Sequence, residues 1–352
     1  MIDVIAREGG LLGALLTIVS VLFLLTLVFS AYAITLRLRH GARERRRARY
    51  AEKWKDRLLL ALADEEEATA LQGSVLERER LPFIGFAVQY ARRLRGEGRE
   101  TLAHLVRPFL DLVAERADSP SEEIRARAIQ TLGMLGLPEH APRVMAALDD
   151  PSTLVAMVAA RALAQGESPE YAQAVLARLH RFKGWDRRFL ASMLAAMGPG
   201  VGQSLRDGLA DVRADPRSRA VLADALQIQG DPAAGDVAAD MLRTTTDREL
   251  LAASLRLLRD VGRPEHAEAV RAHARSGDPV IRAHALRALG AVGGESDIPQ
   301  LVESMRDSSP WAALNAAKGV LAAGGADVLT EIASSGDQVG VLARQALAGE
   351  SR

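Results

Sequence analysis

Seven histidines and no cysteine bound the chemistry open to this chain. Without cysteine there is no disulfide, thiolate metal site or cysteine nucleophile, which suits a reducing compartment. The most suggestive triplet occurs twice, as Pro138-Glu139-His140 and Pro264-Glu265-His266. An acid beside an imidazole is what a metal site or an acid–base pair would use. The copies lie 126 residues apart, four lengths of a repeat of about 31 residues, so they read as one structural slot used twice. Pro and Glu suit the first turn of a helix, where the acid meets the positive end of the dipole. His273 and His284 fall on consecutive predicted helices, without a third ligand at metal-site spacing. No nucleophile elbow, P-loop, paired-carboxylate motif or HExxH string is present. Asp149-Asp150 and Glu65-Glu66-Glu67 sit at a predicted turn and a helix end and read as solvated faces. No catalytic residue, cofactor or metal is expected, and the chain does not read as an enzyme.

Residue types suited to contact are easier to find. The stretch 180–188 forms an unusually long connection that mixes basic and aromatic residues: Arg181, Phe182, Lys183, Trp185, Arg187 and Arg188. Arg and Trp together are typical of the residues that dominate protein interfaces. Trp311 lies 126 residues after Trp185, so the indole itself reads as a repeated packing residue at a helix start. The insertion has no such copy.

The elements that must position these residues are repeats. Arg125-Ala126-Arg127-Ala128-Ile129-Gln130-Thr131-Leu132-Gly133 aligns with Arg282-Ala283-His284-Ala285-Leu286-Arg287-Ala288-Leu289-Gly290, 157 residues on. Weaker copies fall between and after them. Unit starts read Ser119-Pro120, Asp150-Pro151, Trp185-Asp186, Asp215-Pro216, Thr246-Asp247, Asp278-Pro279, Ser309-Pro310 and Gly336-Asp337. A capping Asp or Ser with Pro in the first turn opens a helix. Glycines 136, 166, 198, 230, 262, 293 and 324 recur in mid-unit, where a helix end uses the left-handed conformation. Each unit is thus predicted to be a helix, a Gly turn and a second helix. Its apolar faces are buried only by stacking on neighbours. Aromatics at 4% and abundant Ala and Leu agree with close-packed helices.

The pattern resembles HEAT-like repeats, specifically the short bacterial type also seen in phycobilisome-lyase-like proteins. The resemblance rests on Asp278 to Gly290 and Arg125 to Gly133 and covers about 119–348, with 81–116 as a divergent first pair. It implies an all-α solenoid of about seven helix pairs over 81–352 and a role as a scaffold that binds proteins. Several units lack the family's Arg, whose place is taken by Ala156, Leu190, Leu251 and Ala313. Helix order in such arrays predicts that the second helices line the inner surface and expose Arg143, Arg178, Arg206, Arg243, Arg271, Arg275 and Arg306 to a partner.

Ahead of the repeats, Gly9 to Leu36 contains no charged residue. About 20 apolar residues cross a bilayer, so residues 11–36 are predicted to form a single transmembrane helix after a short extracytoplasmic tail, 1–10. Ala31-Tyr32-Ala33 has the form of a signal cleavage site. The long apolar run, the absence of a basic start and the basic cluster behind it argue for an uncleaved anchor. That cluster includes Arg37, Arg39, Arg43, Arg45, Arg46, Arg47 and Arg49, suited to anionic lipid headgroups. Basic flanks stay in the cytoplasm, which predicts a single-pass protein of the bacterial inner membrane with its solenoid inside. Residues 37–80 read as a basic juxtamembrane helix and linker. Tyr50 and Trp54 are candidates for the headgroup level, and Leu58, Leu59, Leu60, Leu62 and Leu71 for a small contact face on the first repeat layer.

The chain is electrically neutral overall, but the basic flank leaves the remainder mildly acidic, which argues against nucleic-acid binding. The reading is a membrane-anchored scaffold or adaptor for protein partners. An accessory subunit of a membrane complex, such as a polysaccharide-synthesising glycosyltransferase, fits the family association. The alternative implied by the resemblance is a phycobilin-lyase-like enzyme or enzyme subunit.

Overall fold

The computed structural model describes residues 22–32, 37, 48–91, 93–94 and 96–350. Among them there is no strand, and the protein is all-helical. No helix of the described residues is long and apolar enough to cross a membrane. The predicted span at 11–36 lies outside the described residues except for 22–32, which are helical. Of the basic flank, Arg37 and Arg49 are described and exposed, whereas Arg39, Arg43, Arg45, Arg46 and Arg47 lie outside.

The chain divides into two units, Met1–Val113 and Ala114–Arg352. The first holds α1 (22–32), α2 (48–61), α3 (Glu65–Ser74), α4 (Arg80–Ala91) and α5 (Glu97–Val106). Its core is built on Trp54, which is 0% exposed. The indole stacks on Tyr50 at 4.7 Å and meets Phe83 edge-on at 5.1 Å. Phe83 in turn meets the edge of Phe109 at 6.0 Å. The expectation that Trp54 rests at a lipid headgroup is therefore corrected. Trp54, Leu58 and Ala61 repeat at helical spacing along α2 and are all buried, so this stripe is core. Leu71 is buried with them, while Leu59 and Leu60 point to the surface. Lys53 pairs with Glu79 at 2.5 Å and Arg57 donates to Ser74 at 2.8 Å, which ties α2 to the end of α3 and to the connection before α4. The Trp54–Phe83 contact continues this core past residue 80, within the unit that ends at Val113.

A short helix, α6 (Asp111–Ala114), precedes the repeats. The first helices of the pairs are α7 (Glu122–Leu135), α9 (Thr153–Leu163), α11 (Arg187–Ala195), α13 (Pro216–Gln229), α15 (Arg248–Val261), α17 (Pro279–Val292) and α19 (Pro310–Ala322). Their partners are α8 (Ala141–Ala146), α10 (Pro169–Leu176), α12 (Gly202–Ala210), α14 (Ala234–Thr244), α16 (Ala267–His273), α18 (Ile298–Ser304) and α20 (Ala326–Ala333). A last helix, α21 (Gln338–Glu350), closes the array. Seven pairs stack as an α-solenoid.

The predicted punctuation is visible as caps. Asp215 accepts the N–H of Ser218 at 3.1 Å, Asp247 that of Leu250 at 2.9 Å, and Asp278 that of Val280 at 2.7 Å. At two starts the helix begins later than its Pro. There Ser119 and Asp150 close a local turn instead, accepting from the N–H of Ser121 and Ser152. Of the mid-unit glycines, Gly136, Gly198, Gly230 and Gly324 take positive φ, where a side chain would be strained.

The repeat arginine now has a physical role. Arg125 holds Asp150 with two bonds, Nε to Oδ2 at 2.8 Å and Nη2 to Oδ1 at 2.9 Å. It also donates to the carbonyl of Ser119 at 2.9 Å. Arg282 repeats this with Asp307 and the carbonyl of Ser276. One guanidinium thus ties the turn before its own helix to the turn before the next, a fork geometry that Lys cannot reproduce.

The first helices form the tighter of the two layers. A Cβ on Gly290 would run into the backbone of Gly319, and one on Gly133 into the Cβ of Ala162. Small residues at these crossings bring helix backbones almost into contact. The second helices touch one another less extensively.

Candidate functional site

The histidine of the second Pro-Glu-His triplet is buried in a hydrogen-bond network. His266 is 3% exposed, and its Nδ1 accepts the N–H of Arg263 at 3.0 Å. The proton therefore sits on Nε2, which donates to Asp236 Oδ1 at 2.9 Å. Asp236, Glu265 and His266 form a group that metal-ligand geometry would admit among the described residues. Arg263 already supplies the positive charge there, 2.9 Å from Asp236 and 2.8 Å from Glu265. The His266 bond and the guanidinium hold the Asp236 carboxyl below its usual range. Thirty-one residues on, Asp297 fills the same slot, accepting from the N–H of Gly294 and from Arg271. His273 and His284 do not meet: His273 donates to the carbonyl of Leu242 at 2.9 Å, and His284 packs against Trp311.

The second-helix arginines are mostly ties inside the array. Arg143 pairs with Asp118 and donates to the carbonyl of Ala114. Arg178 pairs with Asp149 at 2.7 Å, Arg206 with Asp231, Arg243 with Asp240 at 2.7 Å, and Arg271 with Asp297 at 2.8 Å. The Arg178 guanidinium lowers the carboxyl of Asp149, and that of Arg271 lowers Asp297. Arg275 and Arg306 are exposed and form no ion pair among the described residues.

The connection at 180–188 splits into two parts. Phe182 is 0% exposed and belongs to the core, and Arg181 is spent on the carbonyls of Leu148 and Asp150. Lys183 lies 3.9 Å from Asp215. Trp185 precedes the Asp186 cap of α11 and stacks on Phe189 at 5.9 Å, and its carbonyl accepts from Arg217. Trp311, in contrast, lies inside α19 and is 42% exposed, so the two indoles do not share a slot. The extra residues before Trp185 shift the register. Arg187 and Arg188 open α11, on the first-helix side of the array.

That side carries a strip the sequence reading did not assemble. Asp224 on α13, Arg256 on α15, Arg287 on α17 and Lys318 on α19 follow one another at 32, 31 and 31 residues and so share a register. Asp224 takes Arg187 at 2.9 Å on one side and Arg256 at 2.7 Å on the other. Arg187 reaches on to Glu249 of α15, at 3.6 Å. Asp260 accepts from Arg259 at 2.6 Å and from Gln227 at 2.5 Å. Arg287 gives one N–H to the carbonyl of Lys318 at 2.6 Å. Beside it the His284 ring meets the Trp311 ring edge-on, centroids 5.0 Å apart. Burial, with Arg256 and Arg259 nearby, pushes the imidazole of His284 down to about 4, so it is neutral at pH 7. The same burial and Arg259 hold the Arg287 guanidinium below its ordinary value. The 31-residue spacing of Arg256, Arg287 and Lys318 was the sequence signal for this strip.

Residues 110–196 and 236–322 match the family model of HEAT repeats, so the chain carries HEAT repeats over those stretches. No curated protein matches the chain. Among solved structures, human deoxyhypusine hydroxylase in complex with glycerol is similar at 21% identity, over 68% of this chain and 94% of that one, with a TM-score of 0.28. The complex of CpcE and CpcF of phycocyanin lyase from Nostoc sp. is similar at 16% identity, over 75% and 94%, with a TM-score of 0.25. Kap121p bound to Ste12p is similar at 11% identity, over 79% and 42%, with a TM-score of 0.37. Likeness at this level says nothing about what this chain binds.

Proposed function

We propose that these HEAT repeats form a protein-binding scaffold held at a membrane by the apolar run 11–36. The observation that carries the binding role is the first-helix strip. Taking the tighter, first-helix layer as the inner face puts the strip from Arg187 to Lys318 on it, with Arg187 and Arg188 at its entry. Repeats built this way offer one continuous surface for a protein partner. Support for the anchor comes from α1, where Leu22, Phe23, Leu24, Leu25, Val28 and Phe29 are all exposed, Phe29 at 72%. Exposed apolar residues in that density are costly in water and at home in lipid.

With the basic flank behind it, the anchor places the repeats on the cytoplasmic side of a bacterial inner membrane. Tethering raises the effective concentration of partners there without tight contacts. Membrane-bound assemblies, including polysaccharide-synthesising glycosyltransferases, are the class of partner this arrangement serves. Crosslinking in native membranes, followed by identification of what is captured, tests the scaffold. A reproducible protein partner supports it, and a chain that captures no protein refutes it. Alkaline washing of the membranes tests the anchor: the chain stays with the lipid if 11–36 spans and is released if it does not.

A further inference from the structure

Many arginines of the second unit hold a carboxylate, while Arg219, Arg275, Arg287 and Arg306 form no ion pair among the described residues. Arg125, Arg178, Arg256, Arg271 and Arg282 each hold a carboxylate. Arg287 does not, although it is half-buried: its bond goes to a backbone carbonyl, and it forms no ion pair among the described residues. Lys318, next in the same register and also half-buried, forms none either. Residues 114–352 are net acidic, so this strip of positive charge stands against its surroundings. Only the field of Asp260, a carboxylate bonded to Arg259 and Gln227, reaches Arg287, so an incoming carboxylate would add charge-assisted bonds that its guanidinium lacks. Alongside it, Trp311 presents an indole that is backed by His284 and open to solvent. Indoles of this kind are common interface anchors.

We propose that the face of α15, α17 and α19 around Arg287 and Lys318 docks an acidic, extended segment of a partner protein, with one of its apolar side chains resting on Trp311. The proposal rests on the scaffold reading and names its partner class. Charge complementarity carries the choice. Nucleic acid needs a long track of unpaired cations. Here Arg256 and Arg259 are already matched by Asp224 and Asp260, leaving room for a few carboxylates only.

The test is fluorescence anisotropy of a labelled decapeptide of Asp and Glu with a central Leu, titrated with the full chain in lipid nanodiscs. The native chain binds, more weakly as salt rises. Arg287→Gln with Lys318→Gln weakens binding about tenfold or more, and Trp311→Ala weakens it too. Arg275→Gln with Arg306→Gln leaves it unchanged. If the double variant melts differently from the native chain, Lys318→Glu alone takes its place. Equal binding by native chain and variant overturns the inference, as does tighter binding of a single-stranded oligonucleotide of the same length. Absence of peptide binding alongside a captured partner overturns this inference but not the scaffold reading.

Discussion

Arg187 and Glu249 approach to 3.6 Å although a whole helix, α13, lies between theirs. The bridge passes over Asp224, which Arg187 also holds, at 2.9 Å. A side chain reaches across a helix in this way only where the layer is tightly spaced. The contact therefore marks the first-helix layer as closely packed.

Asp224 is the shared anion of that bridge, with Arg187 and Arg256 on either side. Asp224→Ala strips Arg256 of its carboxylate and leaves Arg187 with Glu249 alone. The expected cost is about 2 kcal/mol, read from urea denaturation. The double variant Asp224→Ala with Arg256→Ala recovers part of it, because the stranded charge is gone.

The repeat arginine ties carry an acid sensitivity. The carboxyls of Asp150 and Asp307 are lowered first by their bonds to Arg125 and Arg282. A group whose folded value is depressed adds stability that is full above its unfolded value, about 3.9, and is lost as pH falls through the folded one. The urea midpoint should therefore drop below about pH 4. Asp307→Asn should lower the midpoint at pH 7 and flatten the drop. A midpoint as high at pH 3 as at pH 7 contradicts this.

His284 adds to the same trend at milder pH. Its folded value of about 4 lies below the ordinary one, so the unfolded chain binds the proton first. Its contribution fades as pH falls from about 6.5 toward 4. The ring signals of His284 in an NMR titration should stay in the neutral position at pH 5.5. Movement at the ordinary value would show that burial beside Arg256 does not hold it.

Two packing sites give opposite expectations for small changes. Gly290→Ala forces a methyl into the backbone of Gly319 and should cost about 3 kcal/mol. Trp54→Ala empties the first unit's aromatic cluster and should cost about 4 kcal/mol. Trp54→Phe should cost far less, because the buried Nε1 of Trp54 has no hydrogen-bond partner to lose. Denaturation curves of the three variants check the ranking.

The sequence carried the repeats because their punctuation is local. Asp215, Asp247 and Asp278 cap helices within three residues of themselves, and that pattern is visible in the chain. The candidate site was less legible because its partners lie a repeat away. Arg271 reads as an open charge until Asp297, 26 residues on, is seen to fill it. Phe182 and Trp54 read as surface aromatics beside basic residues, yet both fill cores. How closely the first helices pack is set by the Gly290–Gly319 crossing and others like it. No single unit shows that.

The central claim is that partners dock on the first-helix face of a membrane-held array. Photo-crosslinking side chains placed one at a time at Arg188 and Lys318, and at Arg275 and Arg306, test it in native membranes. The account predicts protein adducts from Arg188 and Lys318 and none from the second-helix positions. Adducts from Arg275 and Arg306 alone would contradict it.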